Sequence, residues 1–323
     1  MVWLTWRQHR AEAAIVAGAL ALLAAVLVVT GITMRDTYQQ LGLAHCLSEV
    51  ATSPNCGDAL GVFRDRYGSW LALAGWLNFI PVLLGILVGA PLVARELEHG
   101  TQRLVWTQSV TRGRWLVVTL ALVLGGCLVV AVALSLVLTW WLGPWDALNG
   151  RFGDAAFDFE APVLGSYVAF AIVIGMAAGA LLRRTVAAMV VTLAGFLAAR
   201  LPVEFHFRAA YLPPLTRTFD FASPASRSAA GLSRADWVIS EPIVDHAGHQ
   251  VADQQVYRTC LSSFGATKDT FFHCVEAHGW LGSEVYQPAA RYWTFKGIET
   301  AIFVALAVAL LGLAAYWVRA RLT

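Results

Sequence analysis

Apolar residues fall in six long blocks separated by polar breaks: residues 11–34, 70–94, 115–141, 163–182, 185–201 and 297–318. A helix of roughly 20 apolar residues crosses the ~30 Å hydrocarbon layer of a bilayer. Each block is therefore a candidate membrane span, and the fifth is the shortest. The second is interrupted by Asn78, Pro81 and Pro91, and the third is long enough to tilt or to overrun the hydrocarbon edge. Only Arg183 and Arg184 separate the fourth block from the fifth, so these two form a tight helical hairpin. The pattern predicts an all-α polytopic membrane protein with six transmembrane helices.

Composition agrees. The chain is 58% hydrophobic and 14% charged, against about a quarter charged in a soluble domain. Its mean hydropathy is +0.61. A net charge of +2 is too small to suggest a nucleic-acid partner. Lys268 and Lys296 are the only lysines beside a large arginine count. With the excess of Ala, Gly, Val and Leu, that usage points to a GC-rich bacterial genome. Arg7 and Arg10 precede the first block as in a signal peptide. The block is nevertheless of spanning length, and no small-x-small cleavage site follows it, so it reads as a retained first span behind an interfacial segment at 1–10.

Six spans put both termini on one side, and arginines in the short loops indicate which. Arg7, Arg10, Arg95, Arg103, Arg112, Arg114, Arg183, Arg184, Arg319 and Arg321 lie on the side of the termini, whereas Arg35, Arg64, Arg66 and Arg151 lie opposite. The positive-inside rule then places both termini in the cytoplasm, and with the bacterial composition the expected location is a bacterial plasma membrane. Trp70, Trp115, Trp140, Trp141, Trp293 and Trp317 sit at span ends, as an interfacial aromatic belt requires.

The cysteines fit this orientation. Cys127 is mid-span and reads as a small buried hydrophobe. Cys46, Cys56, Cys260 and Cys274 all fall in segments assigned outside, where disulfides persist. Four cysteines allow three connectivities, of which proximity favours Cys46–Cys56 and Cys260–Cys274. Residues 202–294 are too many for a connector. They are rich in proline and in aromatics such as Phe205, Tyr211, Trp237 and Trp280, enough for a small disulfide-stapled extracellular subdomain between helices 5 and 6. Residues 251–278 could be helical. The chain thus divides into 1–10, a span region 11–201 with an inner loop 95–114, the subdomain 202–294, and a last span and tail 295–323. His246, His249, His273 and His278, with Asp245 and Asp253, lack a diagnostic ligand spacing, and surface histidines are the default, so no metal is assigned.

The most informative stretch is ARELEHGTQRLVWTQSVTRGRW, residues 94–115. Its charged exit from span two leads to Gly100, which permits a sharp turn. Thr101 is placed to cap a short amphipathic helix with Leu104, Val105 and Trp106 on its apolar side. This element resembles the loop of the permease subunit of ABC type-2 exporters, in which span two ends in Arg-Glu-x-Glu-x-Gly-Thr and a Thr-x-x-x-x-Arg segment leads into span three. The matching positions are Arg95, Glu96, Glu98, Gly100, Thr101, Thr107 and Arg112. The opening MVWLTWRQHR and the YWTFKGIE entry to the last span are similar to actinobacterial members with large outer loops. The resemblance implies that this loop, Arg103 included, couples to an ATPase.

No GxxxxGK[ST] phosphate-binding loop is present, so the chain is not expected to hydrolyse ATP. The resemblance implies two copies of a separate cytoplasmic ATPase subunit that bind ATP and Mg, and a second permease chain, identical or paralogous. Gly85 with Gly89, and Gly175 with Gly179, form Gly-x-x-x-Gly pairs suited to close helix packing, within the chain or at a dimer interface. Glu12, Arg200, Glu204 and Glu299 fall at span ends, and no acid, histidine or lysine falls near a span middle. That argues against proton-coupled transport and for an apolar pathway taking hydrophobic or amphipathic cargo. The competing expectation is a membrane-anchored sensor or binding protein that works through residues 202–294; a membrane enzyme using the outer histidines is a third.

Overall fold

Span four, Val163–Leu182, is the helix around which the membrane part is organised. In the computed structural model, which describes residues 2–48, 55–98, 112–221, 223, 226, 229–262 and 268–321, 78% of its apolar stretch is buried within the chain, against 17–28% for the other spans. The described residues hold six helices long and apolar enough to cross a membrane: Ala17–Gln40, Cys56–Arg95, Leu120–Asn149, Val163–Leu182, Thr185–Ala210 and Ala289–Ala314. Their outward residues, including Leu22, Val29, Val129, Leu136, Val190 and Val308, are exposed. In water such a surface would aggregate; in hydrocarbon it is solvated.

Two segments are more continuous than the hydropathy pattern suggests. Helix one runs without a break over Val2–Gln40, so residues 2–10 extend the helix of span one. Span two begins as far back as Asn55 and changes geometry rather than breaking: a 3-10 turn at Leu77–Phe79, then Ile80–Leu84, a π turn at Gly85–Gly89, and Ala90–Glu98. Pro81 lacks an N–H and sits at the start of the Ile80–Leu84 helix, directly after the 3-10 turn.

Aromatic side chains and hydroxyls join the first three spans. Phe63, fully buried, lies 5.2 Å from both Tyr67 and Trp145. The Tyr67 hydroxyl pairs with Thr37 at 2.8 Å, and the Trp141 indole N–H donates to Thr30 at 3.0 Å. Arg35 stacks on the Trp140 ring at 4.6 Å and donates to the Trp140 carbonyl. The Cys46–Cys56 disulfide closes the connection between spans one and two.

The chain divides into two compact units. The helical unit is Met1–Leu148, Asp154–Glu204 and Lys296–Thr323; the second is Asn149–Gly153 with Phe205–Phe295. The second unit departs from the all-α expectation, because its core is an antiparallel sheet. Strands β1 (Leu215–Phe219), β2 (Trp237–Ser240) and β3 (Ile243–Val244) all pair with β4 (Leu281–Gln287). Strands this short carry little periodic signal, and here they sit among prolines. Arg217 faces Glu284 across β1 and β4 and bonds it at 2.7 Å. Its guanidinium also reaches Asp236 at 2.9 Å and stacks on Tyr286 at 4.0 Å.

Residues 149–153 belong to this unit although the sequence division leaves them with the spans. Phe152 stacks on Trp237 at 5.6 Å and meets Tyr292 edge-on. Gly150 has φ +83°, and a Cβ there would lie 2.5 Å from the Arg234 carbonyl oxygen. The stretch expected to be helical forms Asp253–Val256, a π turn at Tyr257–Leu261, and Lys268–Ala277. The Cys260–Cys274 disulfide ties the last two together.

Candidate functional site

The start of a helix leaves its first four N–H groups without intrahelical acceptors. Span five begins at Thr185, directly after the hairpin turn, and its donor is met by a residue from span two. The Glu98 carboxylate accepts the Thr185 backbone N–H at 3.0 Å and the Thr185 hydroxyl at 2.7 Å. A negative charge is favoured there by the helix dipole. Arg183 holds the turn in the left-handed region, φ 55°, with its N–H bonded to the Gly179 carbonyl at 3.0 Å. The end of span two, the end of span four and the start of span five therefore meet at one corner, where Arg95, Arg183 and Arg184 are exposed.

Of the residues expected to couple to an ATPase, Arg95, Glu96 and Glu98 close the span-two helix, and Arg112 opens the span-three helix. Gly100, Thr101, Arg103 and Thr107, and the interfacial helix expected there, lie outside the described residues. Glu98→Ala is expected to cost about 1 kcal/mol of stability, the usual loss at a helix cap, and Glu98→Gln less, since an acceptor remains. Thermal unfolding in detergent measures both.

Further along, spans two and four touch backbone to backbone. A Cβ on Gly175 would lie 2.5 Å from the Gly85 carbonyl oxygen and 2.7 Å from the Ala90 nitrogen. One on Gly179 would lie 2.7 Å from the Ala90 oxygen, and those on Gly85 and Gly89 would meet the oxygens of Ala171 and Ile172 at 2.6 and 2.7 Å. The two Gly-x-x-x-Gly pairs thus pack against one another's helices inside one chain.

At the opposite end of span five lies a group of charges that hydropathy alone does not reveal. Arg200 donates to Asp158 at 2.7 Å and to Asn78 at 3.3 Å, and its Nε is 3.4 Å from Glu204. The Tyr167 ring lies under the Arg200 guanidinium at 4.5 Å, and its hydroxyl bonds both Asp158, at 3.3 Å, and Glu299. Lys296 donates to the carbonyls of Phe157 and Glu160 at 2.9 and 3.1 Å, and its ammonium is 3.2 Å from the Glu160 carboxylate. Asp158, Lys296 and Glu299 are fully buried and Arg200 is 5% exposed. Below them Tyr167, Phe170 and Phe303 form a layer of ring contacts at 4.7–5.4 Å.

The sequence places Arg200 and Glu299 at span ends, and the fold buries both. Other elements cover those ends. A signal was present: Arg200 and Glu204 are four apart, and Lys296 and Glu299 three apart, so each pair lies on one helix face. Asn78, which interrupts the apolar run of span two, is half-buried and takes part through Arg200.

Among the described residues, two histidines of the second unit pair with neighbouring acids. His249 lies 3.5 Å from Asp245 and His273 3.7 Å from Glu276, both histidines exposed. The backbone N–H of His249 also holds the Asp245 carboxyl below the usual carboxylate range. Cys260, Cys274 and His278 bring potential ligand atoms within 4.8 Å of one another, but the two sulfurs are already bonded to each other.

Six apolar helices, a buried central span, a backbone-tight glycine seam and paired charges sealed inside the bundle define a multi-pass membrane protein. The chain belongs to the ABC-2 membrane transporter related family, whose model matches residues 17–208. It is thus a membrane component of a transporter family. The match takes in spans one to five and the loop after span two; it leaves out span six and nearly all of the second unit. No curated protein and no solved structure gives a match.

Proposed function

We propose that the chain is the transmembrane subunit of an ATP-driven ABC exporter, coupled to a separate cytoplasmic ATPase through residues 95–114. The observation that carries the reading is the Glu98–Thr185 corner: the motif that begins at Arg95 is joined by its last described acid to the first turn of span five. A push on this loop would reach spans two, four and five as one body, because the glycine seam locks two to four. The exposed Arg95, Arg183 and Arg184 supply a basic face for an acidic surface on the ATPase. Both termini and this corner are cytoplasmic in this reading, and the second unit is extracellular. Two permease chains and two ATPase copies complete the transporter. The apolar lipid-facing surfaces and internally paired charges suit hydrophobic or amphipathic cargo.

Affinity purification of the tagged chain from its native membrane in mild detergent tests the proposal. A soluble ATPase carrying a phosphate-binding loop is expected to co-purify, and to be lost when Gly100 and Arg103 are replaced while membrane insertion is kept. If no ATPase is recovered, and function survives scrambling of residues 94–115 with charge retained, the reading falls to a sensor acting through the second unit.

A further inference from the structure

The chain passes between its helical unit and its second unit four times, after Leu148, Gly153, Glu204 and Phe295. Buried and half-buried charges flank the last three of these crossings. Asp158 and Glu160 follow the second, Arg200 and Glu204 precede the third, and Lys296 and Glu299 follow the fourth. All belong to the helical unit, and they bond across the crossings. Arg200–Asp158 at 2.7 Å joins the third to the second, and Lys296–Glu160 at 3.2 Å joins the fourth to the second. Tyr167, bonded to both Asp158 and Glu299, anchors the set on span four.

Stability alone is a poor reason for this arrangement. Burying an ion costs several kcal/mol, and apolar residues of similar volume often hold a fold as well or better. What paired charges supply is geometry: each has few acceptable partners, so the elements carrying them take discrete positions relative to one another. The charges are also not scattered over the bundle. They are concentrated where the chain leaves and re-enters it.

We propose that this network is a mechanical joint. It fixes three chain crossings to one another and to span four, so that the segments of the helical unit at these crossings hold set positions and a shift of span five or six moves all three together. The use of the joint during transport rests on the exporter reading; its presence in the permease alone does not.

Hydrogen–deuterium exchange of the purified full chain in lipid nanodiscs, without any ATPase, tests it. In Asp158→Asn, amide exchange is expected to rise at least tenfold at residues 203–212 and 289–296. The β1–β4 pairing and the span-four glycine seam are expected to exchange as in the wild type. Arg200→Lys keeps the charge and is expected to give an intermediate increase at the same segments. Unchanged exchange at the crossings overturns the proposal. So does an equal rise at the crossings, the sheet and the seam, which would mark a general loss of stability. If Asp158→Asn does not fold, Glu160→Gln removes the charge from the more accessible Lys296–Glu160 pair and is read in the same way. Failure to recover an ATPase would leave this result untouched, and failure here would leave the exporter reading standing.

Discussion

Gly175→Ala is expected to destabilise the helical unit by about 1–3 kcal/mol, the usual cost of overpacking, and Gly175→Leu to leave no folded protein to purify. The added methyl would meet the Gly85 oxygen at 2.5 Å, the Ala90 nitrogen at 2.7 Å and the Gly89 carbonyl carbon at 2.9 Å. All three are backbone atoms, so relief requires moving a helix and not turning a side chain. Because span two is in its π turn at this level, the helix that would have to move is already in an unusual geometry. Gly126→Ala in span three is the control. Nothing lies within 4 Å of its Cβ position, so only the helix-propensity gain of about 0.5–1 kcal/mol remains. The two alanine variants should therefore move the thermal midpoint in detergent in opposite directions. If both raise it, the seam is looser than described.

The seam also bears on assembly. Close approach of small residues is a common device for joining membrane helices, and the two glycine pairs were open candidates for a contact with a second chain. Their faces are occupied by one another's helices within the chain, and span four is buried along most of its length. The outer spans carry large exposed apolar side chains, and glycines such as Gly75 and Gly126 with nothing within 4 Å of their Cβ positions.

Some of the structure could be read from the sequence because single residues constrain it. Only two arginines separate spans four and five, which leaves no option but a tight hairpin. Cysteines ten and fourteen residues apart were good candidates for local pairing. The REXEXGT element drew attention to Glu98 as a coupling residue, but not to its role as the acceptor for the first turn of span five. Other features could not be read because they depend on residues distant in sequence. Hydropathy records that Glu299 is near a span end but not that Tyr167, 132 residues away, covers it. Asp158 lies in a connector that looks solvated, and only the fold turns it toward Arg200. Strands of two to seven residues among prolines carry too few repeats to reveal a sheet. Residues 149–153 are recognisable through Phe152 and Gly150, whose partners come 84 or more residues later.

Arg200→Met alone is expected to cost about 3–5 kcal/mol, the range for removing one partner of a buried ion pair. It takes the guanidinium away from Asp158 and Glu204 together and removes the cation above Tyr167. Asp158→Leu alone should cost less, because Arg200 keeps Glu204 and Asn78 within reach. The double variant Asp158→Leu/Arg200→Met is then expected to be more stable than Arg200→Met alone, since no buried carboxylate is left at position 158. Unfolding of all four proteins in the same detergent gives the coupling free energy directly, and contacting residues of one network usually show about 0.5–3 kcal/mol. A double variant as unstable as the sum of the two singles would mean that the 2.7 Å contact carries no energetic coupling. The expected recovery has a functional edge. A chain that regains stability with an apolar pair in place of the ionic one would have kept the bundle and lost its directional partners. It is therefore the protein in which to ask whether the chain crossings still exchange as slowly as in the wild type.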